Sequence, residues 1–307
     1  MIIVFGSVNV DMVMAVKTMP RPGDTVLSPS YKMIPGGKGA NQAVAAARAG
    51  SEVKFFGSVG QDEFGKFAVS AMEDADVDLT GLSKCTEPTG CAMVCVDATG
   101  ENMISVASGA NDKADQSKIP DFLLSQGNTI LLQLETPAQQ NWDLIERAKK
   151  IGARTILNLA PAHNVPVNIL ESIDILVLNQ IEATTLALHL GFDVISPTVA
   201  ARRIATNFGI TCVVTLGAEG AIACSPEGVW QVQAMKIDAV DTTAAGDAFV
   251  GVLAASLDGG MTLPEALNRA SAASGLACTT SGAQSSLPHL NAINEAVRNL
   301  SAPAQIA

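Results

Sequence analysis

The sequence predicts an α/β fold: a mostly parallel sheet flanked by helices, with a few short strands standing apart from it. Three observations carry this reading. Short apolar runs recur along the chain, and most are followed within a few residues by a segment of helical period, the rhythm of βαβ units. Gly-rich loops run directly into Ala-rich segments, at Gly36-Gly-Lys-Gly-Ala-Asn-Gln-Ala and again at Asp241-Thr-Thr-Ala-Ala-Gly-Asp-Ala-Phe. Residues 12–35 carry Pro20, Pro22, Pro29 and Pro35 between short alternating pieces such as Thr25 to Leu27, which suits strands projecting from the main sheet better than strands inside it. A chain of 307 residues, 48% apolar, buries a large core, as one α/β domain or as a domain with a smaller appendage.

In chain order, Ile2 to Phe5 is an apolar run ended by Gly6 and reads as a buried parallel strand. After it, Asn9 and Asp11 lie two apart, on one face of an extended chain at the edge where open α/β sheets bind ligands. The loop at Gly36 and Gly37 opens a helix that stops at Gly50, and its glycines let Lys38 and Asn41 lie close to a ligand. The Walker A spacing is absent, and Gly57 to Asp62 misses the dinucleotide fingerprint. Strand Val53 to Gly57 precedes helix Glu63 to Asp74. Thr89 to Ala107 reads as a hairpin turning at Asp97 to Gly100, with Cys91, Met93 and Cys95 alternating on one face. Strand Thr129 to Leu134, helix Ala138 to Ile151, strand Arg154 to Leu159, strand Ile173 to Leu178 and helix Glu182 to His189 follow. Glu135, Asn158 and Asn179 end three of these strands and describe a polar cleft. Helix Ser196 to Phe208 and strands Thr211 to Leu216, Ala221 to Cys224 and Val229 to Gln233 lead to the second Gly-rich loop, and helices Pro264 to Cys278 and Asn291 to Leu300 close the chain.

That second loop is the chemical centre of the sequence. A helix start leaves about four backbone N–H groups unpaired and carries partial positive charge, and side chains as small as Ala244, Ala245 and Gly246 let an anion approach. Asp247 would repel such an anion, so it is either a base for a hydroxyl attacking it or a dipole partner at the helix start. Glu182 has the same two readings, site carboxylate or dipole partner. The turn Thr215-Leu-Gly-Ala-Glu-Gly offers Gly217 and Gly220 to phosphates or simply joins two strands. The loop Thr279-Thr-Ser-Gly-Ala-Gln-Ser-Ser286 is either ordinary polar loop or a set of oxygen ligands for an alkali cation.

A net charge of −11 excludes nucleic acid and anionic membranes as main partners. Six cysteines without a CxxC pair read as reduced, buried core thiols, and three dispersed histidines make no zinc site. The start lacks a basic and long apolar segment, and no stretch reaches the roughly 18 apolar residues of a membrane span, so a cytoplasmic protein is expected.

The two Gly-rich segments resemble the signatures of the ribokinase-like (PfkB) carbohydrate kinases. Gly6-Ser-Val-Asn-Val-Asp11, Asn158-Leu-Ala-Pro-Ala, Asn179-Gln-Ile-Glu182 and Thr215-Leu-Gly-Ala-Glu-Gly match too, so six motifs agree in order over nearly the whole chain. The resemblance implies one α/β three-layer sandwich over 1–307 with a β lid at about 12–35 and 89–107, dimerising through that lid. It implies transfer of a phosphoryl group from ATP to a sugar, and the Asn9/Asp11 pair with the Lys38/Asn41 loop resembles members that act on ribose. Asn9, Asp11, Gly37, Lys38, Asn41 and Glu135 would bind the sugar hydroxyls. Asp247 would be the base, and the N–H groups of Ala244, Ala245, Gly246 and Asp247 the anion hole. Asn179, Thr215, Gly217 and Gly220 would line the ATP site, and Glu182 would organise Mg²⁺ through water. Asp241, Thr243, Ala277, Thr280, Gly282 and Ser286 match positions that bind an activating monovalent cation, usually K⁺. Two departures stand out: Ala244 where many relatives have Gly, and Gln180 where an acidic residue is common. A kinase of another sugar or of a nucleoside, and a regulator that binds without turnover, are the alternatives. A dehydrogenase fails on the missing fingerprint.

Overall fold

A computed structural model describes residues 1–98, 101–193 and 196–306. Its layering is set by the first strand, β1 (Ile2–Phe5). Ile2 and Val4 enter one apolar cluster, while Ile3 and Phe5 enter another on the opposite face. A strand buried on both sides has no polar face to alternate with, which is why the run is continuous.

The chain continues through β2 (Asn9–Ala15), β3 (Tyr31–Gly36), α1 (Lys38–Arg48), β4 (Val53–Gly60), α2 (Glu63–Asp74), β5 (Asp78–Cys85), β6 (Gly90–Val96) and β7 (Asn102–Ala107). Short 3₁₀ turns between 109 and 124 lead to β8 (Thr129–Leu132), α3 (Ala138–Ile151), β9 (Arg154–Asn158), α4 (Val167–Leu170), β10 (Ile175–Asn179), α5 (Gln180–His189) and α6 (Pro197–Phe208). Then come β11 (Thr211–Thr215), β12 (Ala221–Ser225), β13 (Gly228–Val232), α7 (Ala245–Asp258), α8 (Leu263–Ala277), α9 (Leu290–Val297) and β14 (Ala304–Gln305). The main sheet has the order β14-β13-β12-β11-β10-β9-β8-β1-β4-β5. Pairing is parallel from β5 to β11 and antiparallel from β11 to β14. One face is covered by α1, α2, α7, α8 and α9, whose Val44, Val69, Val252, Leu267 and Ile293 join the first cluster. The other is covered by α3 to α6 through Leu144, Ile169, Leu186 and Ile204.

The dense alanine of α1 has a packing reason. A Cβ added at Gly251 of α7 would stand 2.6 Å from the Ala45 Cβ and 2.6 Å from the Gln42 carbonyl oxygen. The two helices meet almost backbone to backbone, and larger side chains would force them apart.

A second sheet, β3-β2-β6-β7, stands beside the main one. Its alternation divides it sharply. Asp11, Val13, Ile34, Ala92, Val94, Ile104 and Val106 face a cleft. In register with their neighbours but of opposite parity, Met12, Met14, Met33, Cys91, Met93, Cys95 and Met103 stand on the other face.

Several expectations change. The segment 12–35 has strands at its two ends only, β2 beginning already at Asn9, and Thr25 to Leu27 is not a strand. Part of the expected hairpin turn, Thr99 and Gly100, lies outside the described residues, but β6 and β7 pair from Cys91↔Ala107 to Val96↔Asn102. β4 runs on to Gly60. β5 and β14 were not anticipated, because each is an edge strand without an apolar run. All six cysteines are free, but only Cys212 and Cys224 are buried, whereas Cys85, Cys91, Cys95 and Cys278 are half-buried.

Candidate active site

In the main sheet the neighbours of β1 are β4 on one side and β8 on the other. The chain thus reverses its winding between β1 and β8, and at such a switch point the loops beyond the strand ends part and leave a crevice. A cleft of about 680 Å³ lies there, roofed by the second sheet and lined among others by Asn9, Asp11, Lys38, Asn41, Glu135 and Asp247.

Asn9, Asn41, Glu135 and Asp247 are each held by a part of the chain distant in sequence. Gly37 has φ 91°, and a Cβ there would lie 2.8 Å from the Asn9 backbone nitrogen, so only glycine lets α1 start this close to β2. Glu135 Oε2 accepts from Ser7 Oγ at 2.6 Å and from the Lys38 backbone N–H at 3.0 Å. The Lys38 ammonium is 4.0 Å from Glu135 Oε1. Asn9 Oδ1 accepts from Asn111 Nδ2 at 2.7 Å, and Asn111 Oδ1 accepts from the Val8 N–H at 2.9 Å. Asp247 accepts from Asn41 Nδ2 and from Gln42 Nε2, both at 2.9 Å. Asn41 Oδ1 is buried at the cleft with no hydrogen-bond partner among the described residues. Leaving such an acceptor unpaired costs about 1–3 kcal/mol, and a ligand hydroxyl would recover it.

The charges are crowded. Burial, then the Glu135 and Asp247 carboxylates, push Asp11 up to about 7, against the opposing effect of Lys38. Burial also raises Asp247, while Lys38 and the amides of Asn41 and Gln42 oppose it. Burial works against the charge on Lys38, but Asp247, Glu135, Glu182 and Asp11 together outweigh it and raise its pKa. One ammonium among several buried carboxylates suits a ligand rich in hydroxyls, which can donate to the carboxylates and accept from Lys38.

Beside Asp247, α7 begins in open space: nothing stands within 4 Å of where a Gly246 Cβ would be. The Gly246 and Asp247 N–H groups have no acceptor among the described residues, whereas the Ala245 N–H donates to the Thr242 carbonyl at 3.2 Å. Of the four expected anion donors, Ala245 is therefore already engaged. Ala244, the N-cap, sits at φ 59° in the left-handed region, which costs a residue with a Cβ about 1–2 kcal/mol and explains why glycine is common there.

Along the same edge Asn179 and Thr215 are register partners on β10 and β11. Asn179 caps α5: its Oδ1 accepts from the Glu182 N–H at 2.8 Å, and Glu182 Oε2 accepts from the Asn179 N–H at 2.8 Å. Glu182 thus closes a capping box at the helix start, and burial raises its pKa, opposed by that hydrogen bond and by Lys38. Gly220 has φ 96° and a Cβ there would meet the Val232 carbonyl at 2.0 Å, so the strand-joining reading of that glycine is realised too. Gly217 faces open space. These residues and Glu182 are not part of the cleft lining.

The loops of the expected cation site meet. The Val240 and Asp241 N–H groups donate to the Cys278 carbonyl at 2.8 and 3.3 Å. Asp241 accepts from the N–H groups of Thr243 and Gly282, both at 2.9 Å. Burial opposes its charge, but these hydrogen bonds and that of Ser281 outweigh it and hold Asp241 below the usual carboxylate range. Ala277 accepts weakly from the Thr280 N–H at 3.4 Å, and the Ser286 hydroxyl donates to the Ala283 carbonyl at 2.9 Å. An ionised carboxylate among carbonyl and hydroxyl oxygens is a donor set that fits an alkali cation. For magnesium, no cluster of three or more His, Cys, Asp and Glu exists among the described residues. A single nearby carboxylate fits an ion that keeps its waters and is held mainly by phosphates.

Ser7, Gln42, Asn111 and Gln133 escaped the sequence reading as site residues. Ser7 and Gln42 lie inside the signature segments, but an amide or hydroxyl aimed at a carboxylate distant in sequence leaves no local pattern.

The pfkB family carbohydrate kinase profile matches residues 1–290. A ribokinase of Haemophilus influenzae is 36% identical over 291 residues, covering 93% of this chain and 94% of the relative. The crystal structure of ribokinase from Thermotoga maritima superposes with a TM-score of 0.90 at 32% identity, covering 97% and 99% of the two chains. Arabidopsis thaliana ribokinase, solved with ribose and ATP, gives 0.86 at 29% identity, covering 97% and 98%.

Proposed function

The chain belongs to the pfkB family of carbohydrate kinases, and from that premise we propose that it transfers the γ-phosphoryl group of ATP to the 5-hydroxyl of D-ribose, releasing ribose 5-phosphate and ADP. The observation that carries this reading is Asp247, a buried carboxylate lying between the hydroxyl-seeking cleft and the open helix start.

Ribose lies across Asn9, Asp11, Gly37, Lys38, Asn41 and Glu135, its hydroxyls donating to the carboxylates and to the unpartnered Asn41 oxygen. Its primary hydroxyl points at Asp247, which takes the proton as oxygen attacks phosphorus. The N–H groups of Ala244, Gly246 and Asp247 stabilise the charge that spreads over the transferred phosphoryl oxygens, and Asn179, Thr215, Gly217 and Gly220 hold the nucleotide. Glu182 would hold magnesium through water, and the ion would supply positive charge to offset that of the phosphates. A potassium ion held by Asp241, Thr243, Ala277, Thr280, Gly282 and Ser286 would stiffen the loops that lead into α7. The second sheet is a lid that excludes water, the competing acceptor. Ile104 and Val106 on its inner face are about half exposed, at 54% and 50%, which supports closure of two such lids against each other in a homodimer. Among the described residues no helix is long and apolar enough to cross a membrane, and free thiols suit a reducing cytoplasm. The cleft-facing side of the second sheet carries Val13, Ile34, Val94, Ile104 and Val106, with Tyr31 the one aromatic among the described lining residues, and this favours a sugar over a nucleoside.

The test is ADP release with Mg-ATP over ribose, 2-deoxyribose, fructose, adenosine and inosine, each with potassium or only a bulky organic cation. Turnover best on ribose and dependent on potassium is expected. Turnover best on a nucleoside would overturn the substrate, and silence across the panel would overturn catalysis.

A further inference from the structure

The base has a second layer of support that faces away from the cleft. Gln42 follows Asn41 on α1, and the two side chains grip opposite oxygens of Asp247: Asn41 Nδ2 donates to Oδ2 and Gln42 Nε2 to Oδ1. Asn41 lines the cleft, whereas Gln42 does not and is wholly buried. Gln42 is itself held, because its Oε1 accepts from Gln133 Nε2 at 2.7 Å. Gln133 is also wholly buried and lies just past β8, two residues before Glu135. The direction of this chain is dictated by chemistry. An ionised carboxylate only accepts, so Gln42 must present its NH₂ to Asp247 and its oxygen to Gln133. Space for the chain is kept by Gly6: a Cβ there would stand 2.2 Å from Gln133 Oε1.

Taking Asp247 as the base, as in the reading above, we propose that Gln42, locked by Gln133, is a positioning residue that fixes the plane of the Asp247 carboxylate and keeps it ionised for the sugar's proton. Asn41 is shared with the substrate, so its grip changes each time sugar binds. Gln42 is the partner that stays. The charged groups facing Asp247 are Lys38 from α1, Glu135 from the end of β8 and Asp11 from β2, with Glu182 acting on Lys38 from α5. Lys38 is the one cation in this set, so a neutral donor aimed at Asp247 carries real weight against burial.

The test is the pH profile of kcat at saturating sugar and ATP for Gln42→Met and Gln133→Met, with Asp247→Asn alongside. A base must be deprotonated to work, so activity falls as pH drops through its pKa. Losing a donor to the ionised form moves that acidic limb to higher pH, by about one unit for Gln42→Met, and less, in the same direction, for Gln133→Met. Plateau kcat falls roughly tenfold for Gln42→Met while sugar KM changes less than about threefold. Gln133 reaches Asp247 only through Gln42, so it decides the matter if Gln42→Met does not fold. A limb that stays in place, with only the melting temperature lowered, overturns the proposal and leaves both amides structural. The two readings fail separately. Near-normal turnover of Asp247→Asn would remove the base itself, whereas an inactive Asp247→Asn beside an unshifted limb would remove only the positioning role.

Discussion

Asp247 and Glu182 are both carboxylates in the first turn of a helix, at the same edge of the same sheet, and they are 7% and 8% exposed. Burial and helix position do not separate them; their partners do. Glu182 is satisfied by Asn179, three residues away, in a capping box that any helix start can build. Asp247 is satisfied by Asn41 and Gln42, more than two hundred residues away, at the start of another helix. The first arrangement has a sufficient local reason to exist. The second does not, and convergence of distant polar groups on one buried charge is what marks a site. The cleft is built on that plan, with mutually repelling carboxylates and an orphaned acceptor, while Asn179 and Glu182, outside its lining, already satisfy each other.

The contrast can be broken by three substitutions. The largest effect is expected at Asp247: Asp247→Asn lowers kcat by on the order of 10² or more, with sugar binding measured by calorimetry little changed. Retained turnover would return Asp247 to the same status as a helix cap. Next comes Asp11→Asn, which raises sugar KM by roughly tenfold and leaves ATP KM nearly unaltered. The same variant carries a stability signature. Asp11 is raised to about 7 from 3.8, so the folded chain binds the proton more tightly than the unfolded one, and stability declines as pH rises between those values. Asp11→Asn should therefore melt higher at pH 8 and gain little at pH 4, and equal gains at both would show that Asp11 is not the strained group. The smallest effect is expected at Glu182, where Glu182→Ala removes half a capping box and costs roughly 0.5–1 kcal/mol of stability by denaturant titration. If its magnesium dependence is also unchanged, Glu182 is a cap and nothing more.

The α/β order, most elements and the Gly-rich loops were legible because they are written locally: apolar runs buried on both faces, helix starts, small residues where helices touch. Asp11, Lys38, Asn41, Glu135 and Asp247 were legible as candidates because strand ends and helix starts fall at the cleft edge. What was hidden is long-range. Nothing near Gln133 in sequence announces that its amide meets Gln42, or that Asn111 holds Asn9. Edge strand β5 was hidden for the opposite reason, since a strand half exposed to water carries too little apolar pattern to be seen. The second sheet was anticipated in place but not in extent, because 16–30 links β2 and β3 without forming a strand.

The outer face of the second sheet has a use for experiment. Five of the ten methionines, Met12, Met14, Met33, Met93 and Met103, stand there, on the side away from the cleft. Their terminal methyl groups are isotopically addressable, spin freely and resonate in an uncrowded spectral window. Labelling methionine alone therefore places half of all reporters on the second sheet, where any movement of that sheet on adding sugar would be read without altering a residue that lines the cleft.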